Sequence, residues 1–279
     1  MLRRVDPLLL GLTVGLSLFG LAMIASVSVF ESYQITARLV AQGVREEPTN
    51  AFYLLRNLWH VLGGIGVMVL IATVPYRAWE KLALPLFAGS LLLLIAVFIP
   101  GIGADYGTSR SWLDLGPLSL QPSEFVKFTL VLYLAVWLQK REQLIETLRE
   151  GFAPFAILLS LTTVLLALQP DFGSVLVLSA IAATMFFLAG GNFLHLLVGG
   201  ALASVLSLPI ILSKEYVRAR FLAFLHADDP TLSEGIGFQI RQALIAIGSG
   251  RLFGQGYGKS IQKFGYLPEV QSDMIFAAM

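Results

Sequence analysis

The sequence has no cysteine, few histidines and few charged residues, and each shortage excludes a class of protein. Without cysteine, the 279-residue chain has neither a disulfide framework nor a thiolate metal site. Its 3 histidines are dispersed and show no ligand spacing. Charged residues make up 13% of the chain, whereas soluble domains contain about 25%. An ordinary soluble domain is therefore excluded.

Apolar residues are abundant instead, at 56% of the chain with a mean hydropathy of +0.77. A helix needs about 20 mainly apolar residues to cross a membrane. The apolar stretches that we interpret as spans are residues 8–29, 58–74, 82–99, 125–138, 155–168, 174–189 and 193–212. We therefore predict an all-α polytopic membrane protein with seven complete spans and the start of an eighth.

The start of the eighth span is Met274, close to the end of the sequence at Met279. We expect residues 1–279 to be a fragment of one transmembrane domain, with further spans to follow. Basic residues in short loops stay in the cytoplasm. Alternate threading then predicts a cytoplasmic N-terminus and a long extracellular loop over residues 213–272. The basic residues that fall on the cytoplasmic side are Arg3, Arg4, Arg77, Lys81, Lys140, Arg141 and Arg149.

The long loop contains a predicted amphipathic helix over residues 237–248. Its apolar face is predicted to consist of Ile236, Ile240, Ala243, Leu244 and Ile247. Arg241 lies off that face. The glycines within 248–250 and 254–258 could present backbone N–H groups to a phosphate. Glycine clusters of this kind are more often simple turns.

Charged side chains near the membrane are candidates for function because their transfer into lipid is costly. Glu124 and Lys127 are three residues apart at the start of the fourth span, so they share a helix face and can pair. An interfacial ion pair and a substrate-facing site fit this spacing equally well. Ser123 is predicted to cap this helix. Asp171 is predicted to cap a later one, and it stays a candidate for a cavity.

Several motifs occur in a fixed order along the whole chain. They are SRSWLDLGP at 109–117, QPSEFVK at 121–127, QPDFGS at 169–174, the segment 237–254 and LPEVQSDMIF at 267–276. Together these motifs resemble the SEDS family of cell-wall polymerases (shape, elongation, division and sporulation proteins). The Gln262-Lys263 pair is similar to the division-type, FtsW-like branch of that family.

The resemblance implies a peptidoglycan glycosyltransferase that polymerises lipid II into glycan strands for septal wall synthesis during cell division. The enzyme would act at the outer face of the bacterial cytoplasmic membrane. Asp273 would be its catalytic base. The implied substrate-binding residues are Glu269, Ser272, Lys127, Glu124, Arg110, Asp171, Arg218 and Arg241.

The resemblance also sets expectations for cofactors and partners. It implies no metal-ligand set and no certain cofactor, although a divalent cation (Mg²⁺ or Mn²⁺) would suit a leaving diphosphate. Besides lipid II and the growing glycan strand, a class B penicillin-binding protein transpeptidase and divisome membrane proteins are the expected partners. No nucleic acid is expected.

The sequence departs from the family's usual pattern near the proposed base. The family commonly has a His-Thr pair before the aspartate, where this chain has Gln271-Ser272. Because glutamine does not titrate, Asp273 is the better candidate for the base. Arg251 replaces a usual glycine after Ser249-Gly250 and adds a positive charge there.

Two other functions stay open at the level of sequence. A lipid II flippase would bind the same lipid, but it would need no base at the outer face of the membrane. A non-catalytic divisome scaffold would need neither the base nor the lipid site. The effect of changing Asp273 therefore distinguishes the enzyme from both alternatives.

Overall fold

A computed structural model describes residues 6–106, 109–114, 119–225, 236–251 and 253–279. Helices dominate this part of the chain, as predicted. They are α1 (Pro7–Val27), α2 (Val29–Ala41), α3 (Phe52–Thr73), α4 (Tyr76–Ala96), α5 (Pro122–Lys140), α6 (Ala153–Leu168), α7 (Phe172–Leu188), α8 (Phe193–Leu212), α9 (Glu215–Leu225), α10 (Ile236–Gly250) and α11 (Ile275–Ala278). A π-helical turn at Leu148–Phe152 leads directly into α6.

A small antiparallel sheet interrupts the helices between α4 and α5. Strand β1 (Gly103–Tyr106) pairs with β2 (Ser109–Asp114), which pairs in turn with β3 (Ser119–Leu120). The register places Ala104 opposite Trp112. The sequence indicates a Gly/Pro/Ser-rich loop over residues 100–123, and it does not reveal the three strands within that loop. Strands this short contain too few residues for a clear alternation of apolar and polar positions.

Four helical stretches of the described residues are long and apolar enough to cross a membrane. They are α1, α3, α4 and the continuous stretch Leu148–Leu168. Helix α7 and the part of α8 up to Pro209 are apolar but shorter. Helix α5 covers the predicted fourth span and carries charged residues in its first turns. The chain is thus an integral membrane protein, and the count of seven spans stays a prediction.

The structure adds detail to one predicted segment and differs from another. Residues 30–57, which the sequence marks only as a polar stretch, contain most of α2 and the start of α3. Residues 140–150 are predicted as a charged helix, yet turns follow the end of α5. The buried side chain of Ile145 is 1% exposed and belongs to the apolar core, which draws this segment inward. The Arg141 guanidinium donates to the Glu150 carbonyl at 3.0 Å.

The chain divides into two compact units, which we describe separately. The first unit comprises Met1–Thr73 and Pro209–Met279. Its core cluster joins the end of α1 and the middle of α10 to α11 and the loop before it, through Val27, Ala243, Ala246, Leu267, Val270, Ala277 and Ala278. Small alanine side chains allow the backbones of α10 and α11 to approach closely. The predicted single domain over the whole chain stays a prediction.

The predicted amphipathic helix is confirmed as α10, but its predicted apolar face is only partly right. Ala243 is buried as predicted, and Ala246 is buried beside it. Leu244 and Ile247 are 55% and 45% exposed. Alanines at a spacing of three form the packed seam, so the larger residues face outward. The side chain of Ile236 lies outside the described part of the structure.

The second unit comprises Val74–Leu208 and contains α4 to α7. Its core is formed by large apolar residues, including Leu94, Leu130, Phe155, Leu178 and Phe186. Two buried hydrogen bonds fix the packing of these helices. The hydroxyls of Ser90 and Thr129 lie 2.7 Å apart, and Gln169 Nε2 donates to the Leu94 carbonyl at 2.8 Å. Each such bond contributes about 1 kcal/mol.

Candidate active-site residues

The segment Leu267–Asp273, which we call the acidic loop, precedes α11 in the first unit. Leu267 and Val270 anchor it in the core and are 1% and 0% exposed. Burying such a side chain contributes roughly 1.5–3 kcal/mol. Three polar side chains of the loop stay exposed, those of Glu269, Ser272 and Asp273, whereas Gln271 is partly buried. The apolar anchors therefore hold the acids at the surface of the unit.

Glu269 forms the tight turn of the acidic loop. Its φ of 52° lies in the left-handed region, which costs a non-glycine residue roughly 1–2 kcal/mol. Its carbonyl accepts hydrogen bonds from the Ser272 and Met274 amides at 3.1 and 3.2 Å. The Ser272 hydroxyl donates to Glu269 Oε2 at 3.0 Å. Glu269 and Ser272, both predicted site residues, are thus brought together and shape the backbone that carries Asp273.

Asp273 is an exposed carboxylate at the end of this turn. Among the described residues Asp273 has no ion-pair partner. The ion pair found among them joins Lys127 and Glu124. A carboxylate with free oxygens can take the proton of an alcohol that binds within hydrogen-bonding distance. The predicted base is therefore accessible to a ligand in this structure.

Glu31, in the first turn of α2, is a neighbouring acid that the sequence reasoning missed. Its Oε2 atom is buried and has no hydrogen-bond partner among the described residues. The adjacent Phe30 packs edge-on against Phe264, with ring centroids 5.9 Å apart. Burial raises the pKa of Glu31 above 4.5, and the charge of Glu269 raises it further. A lone glutamate after an apolar run was the only sequence signal.

Replacing Glu31 with glutamine is expected to raise the thermal midpoint of unfolding at pH 7. A raised folded-state pKa means that the native protein favours the protonated carboxyl, so ionisation of Glu31 lowers the free energy of unfolding. Glutamine has the same shape without the charge. The gain should shrink as the pH falls toward 4.5, the ordinary value for this carboxyl.

Thermal unfolding of the purified protein across this pH range measures the effect of Glu31→Gln. Glu47→Gln is the matched control, because Glu47 is an exposed acid in the loop between α2 and α3. Parallel curves for wild type and Glu31→Gln at every pH would contradict the assignment.

In the second unit, Lys127 and Glu124 form the predicted ion pair on the first turns of α5. Lys127 Nζ lies 2.6 Å from Glu124 Oε1, and the two side chains are 28% and 57% exposed. Exposed pairs contribute about 0–1 kcal/mol to stability. This pair therefore adds little to folding and leaves a charged couple open to a ligand.

The predicted helix cap at Ser123 is wrong. Helix α5 begins at Pro122, with Gln121 as its N-cap residue. Proline favours the first helical position because its fixed φ suits the helix and no amide is lost. Ser123 consequently lies inside the helix, where its hydroxyl is buried without a partner among the described residues.

Asp171 caps α7, as predicted. Its Oδ1 accepts a hydrogen bond from the Ser174 amide at 3.1 Å. Its Oδ2 is buried without a hydrogen-bond partner in the described part of the chain. The Oδ1 atom thus accounts for the capping role. The unpartnered Oδ2 atom is compatible with the predicted cavity role, which stays a hypothesis.

Asp171→Ala is expected to destabilise the protein by about 1 kcal/mol, because the capping acceptor is lost. Asp171→Asn retains an oxygen for the Ser174 amide and should leave the thermal midpoint close to that of wild type. Thermal unfolding of the two variants measures the difference. Equal midpoints for the alanine and asparagine variants would contradict the capping role.

The predicted arginines lie on three different elements. Arg218 on α9 and Arg241 on α10 are exposed, and α9 packs against α10. Neither forms an ion pair with a described residue of the acidic loop. Arg110 lies on β2, and its side chain is outside the described part of the structure. Across the described residues, no group of three or more histidine, aspartate or glutamate side chains could hold a metal ion.

The glycines after α10 form a turn whose backbone groups bond within the protein. The Gly258 amide donates to Ser26 Oγ at 3.0 Å, and the Gly258 carbonyl accepts from the Lys263 ammonium. In this turn Gly254, Gly256 and Gly258 have φ of 69°, 103° and 75°. Both backbone groups of Gly258 are thus used within the protein, and a phosphate cradle at the other glycines stays a prediction.

Comparison with known proteins agrees with the motifs. The family model of FtsW, RodA and SpoVE, described as cell cycle protein, matches residues 7–279. The probable peptidoglycan glycosyltransferase FtsW of Trichlorobacter lovleyi is 35% identical over 100% of this chain and 70% of its own length. The same-named protein of Legionella pneumophila is 36% identical over 98% of this chain and 66% of its own. Stage V sporulation protein E of Bacillus subtilis is 35% identical over 98% and 71%.

Solved structures show the same likeness. One, titled "Structural coordination of polymerization and crosslinking by a peptidoglycan synthase complex", contains a chain 30% identical with a TM-score of 0.56. That match covers 85% of this chain and 65% of the other. A mutant of the Thermus thermophilus rod shape determining protein RodA is 27% identical, with a TM-score of 0.54 over 73% and 60% of the two chains. The chain belongs to the FtsW/RodA/SpoVE family of cell cycle proteins, the SEDS family that its motifs indicate.

Proposed function

We propose that this protein is a peptidoglycan glycosyltransferase that polymerises lipid II for septal wall synthesis. Its curated relatives support the assignment, since several of those at 34–36% identity bear the name probable peptidoglycan glycosyltransferase FtsW. The structural observation that carries the proposal is Asp273. It is an exposed carboxylate on a loop that the buried residues Leu267 and Val270 hold in place.

The proposed reaction joins a sugar hydroxyl of one lipid-linked unit to the anomeric carbon of another. As the new C–O bond forms, Asp273 accepts the hydroxyl proton. The bond between the anomeric carbon and the diphosphate breaks, and undecaprenyl diphosphate leaves with the electron pair. The carbon develops oxocarbenium-like character, as in other glycosyl chemistry. A positioned general base contributes about 10²–10⁴-fold to such a rate.

The other acidic-loop residues are proposed to support this step. Glu269 accepts the Ser272 hydroxyl and the amides around the turn, so it fixes the direction in which Asp273 leaves the backbone. Ser272 also keeps a hydroxyl oxygen that can accept a hydrogen bond from the sugar. Both residues therefore act close to the base without accepting the proton themselves.

The leaving diphosphate gathers negative charge and needs a preorganised cation. We propose Lys127 for this task, with Glu124 holding its ammonium by the 2.6 Å ion pair. Arg110, Arg218 and Arg241 stay candidates for further headgroup contacts. Asp171 stays a candidate through the unpartnered Oδ2 atom.

Partner and location follow from the same proposal. We place the N-terminus in the cytoplasm and the acidic loop at the outer face of the bacterial cytoplasmic membrane. A class B penicillin-binding protein is the proposed partner. Similarity to a chain of a complex that coordinates polymerization and crosslinking supports this choice. Other divisome membrane proteins are expected at the same assembly.

The proposal is tested with the purified full-length protein in lipid vesicles containing labelled lipid II. Glycan polymer should accumulate, both alone and with the transpeptidase present. If labelled lipid II crosses the bilayer while no polymer forms in either condition, the protein is a flippase and the proposal fails. If it neither flips nor polymerises lipid II yet still binds the transpeptidase, the scaffold interpretation holds.

A further inference from the structure

Lys263 is a buried lysine in the first unit that the proposed reaction does not use. Its exposure is only 6%, and no described carboxylate lies within ion-pair distance of it. Lysines are almost never this buried without a charged partner. An apolar side chain of similar length would fill the same space without the cost of removing an ammonium from water. The charge of Lys263 therefore calls for a specific role.

The ammonium of Lys263 is bound by two backbone carbonyls, one in the glycine turn after α10 and one at the end of α1. It donates to the Gly258 carbonyl at 2.5 Å and to the Ser26 carbonyl at 3.4 Å. It also lies 5.3 Å from the centre of the Phe264 ring. Ser26 is in the last turn of α1, where carbonyl groups give the helix a negative end that favours a cation.

Two further contacts join the glycine turn after α10, at Tyr257 and Gly258, to α1. The Gly258 amide donates to Ser26 Oγ at 3.0 Å, and the Tyr257 hydroxyl donates to the Ala22 carbonyl at 3.0 Å. Lys263 and these two contacts make up what we call the α1 clamp. The clamp connects residues more than 230 positions apart in the chain, since the Gly258–Ser26 pair alone is separated by 232.

The clamp leads directly into the acidic loop. The Leu267 amide, the first of that loop, donates to the Gln262 carbonyl at 3.1 Å, so Lys263 lies inside the turn that this bond closes. Gly265 in the same turn has a φ of 90°, and a Cβ there would come within 2.9 Å of the Phe30 ring. The turn Gln262–Leu267 thus packs closely against Phe30 of α2 and is bonded to the end of α1 through Lys263.

We propose that Lys263 is a positioning residue, whose ammonium ties the turn Gln262–Leu267 to the end of α1 and so holds the acidic loop in its reactive orientation. The proposal rests on the function proposed for Asp273. Lys263 touches neither substrate nor reacting atoms in this account. It acts through the backbone that leads to Asp273, and a displacement of about 1 Å at a reacting group can cost about 100-fold in rate.

The test compares variants of the full-length protein in the polymerisation assay. Lys263→Met keeps the side-chain length and removes the charge. We expect kcat to fall at least about 10-fold while KM for lipid II changes less than about twofold, because orientation and not binding is lost. Lys263→Arg should recover most of the rate, since a guanidinium can donate to the same two carbonyls. Lys259→Met is the matched control, because Lys259 is an exposed lysine four positions away.

Each outcome decides the proposal. Wild-type kcat in Lys263→Met, or an equal loss in Lys259→Met, overturns it, and so does failure of Lys263→Arg to recover the rate. If Lys263→Met does not fold, Tyr257→Phe takes its place, because it removes one clamp bond at an exposed side chain. A several-fold lower kcat then supports the clamp, and an unchanged kcat overturns it. Failure of the proposed function is a separate result, seen as wild-type polymerisation by Asp273→Asn.

Discussion

Lys127→Met is expected to lower lipid II polymerisation by about 100-fold, the typical loss when a preorganised group that stabilises developing negative charge is removed. The thermal midpoint should change little, because the ion pair with Glu124 is half-exposed and such pairs contribute about 0–1 kcal/mol. A large loss of rate with a small loss of stability would identify Lys127 as functional. The measurement is the initial polymerisation rate beside thermal unfolding of the same preparation.

Exchanging the charges of Glu124 and Lys127 tests whether the rate depends on the position of the cation or only on the presence of an ion pair. In the double variant Glu124→Lys with Lys127→Glu, the two opposite charges again lie three residues apart on α5 and can pair. The cation, however, moves to the first turn of the helix. We expect stability close to wild type and a polymerisation rate as low as that of Lys127→Met. Recovery of the rate in the swap would show that the pair is only structural.

Lys127 also distinguishes the enzyme from a flippase. A transporter would use the cation along the path of the headgroup, so lipid II flipping would fail in Lys127→Met and persist without Asp273. An enzyme would lose polymer formation in both variants. Measuring the two activities in the same vesicles separates the interpretations.

Features that depend on nearby residues were predictable from the sequence. The Lys127–Glu124 pair follows from a spacing of three on a helix, and the cap at Asp171 follows from a short polar side chain at a helix start. Both are present in the structure. The membrane helices were predictable because an apolar run of sufficient length has few alternatives to a span.

Features that depend on distant contacts were not predictable. Lys263 bonds to Ser26, which lies 237 residues earlier, and nothing in its local sequence indicates burial. Glu31 belongs to a helix within a segment that the sequence marks only as a polar stretch, and its electrostatic interaction with Glu269 arises only in the folded protein. Ser123 was predicted as a cap by its type, whereas Pro122 sets the start of the helix.

Asp273→Asn is expected to lower kcat by about 10²–10⁴-fold, because an amide cannot accept the proton of the attacking hydroxyl. The side chain is exposed and keeps its shape, so the fold and the affinity for lipid II should be preserved. Glu47→Gln makes the same chemical change at an exposed acid in the loop after α2 and should leave the rate unchanged. A comparable loss in both variants would point to charge in general and not to a base.

The most direct test is the initial rate of glycan formation by full-length Asp273→Asn at saturating lipid II, with lipid II binding measured on the same sample. We predict wild-type binding together with a rate lowered by about 10²-fold or more. Glycan formation at the wild-type rate by this variant would contradict the account.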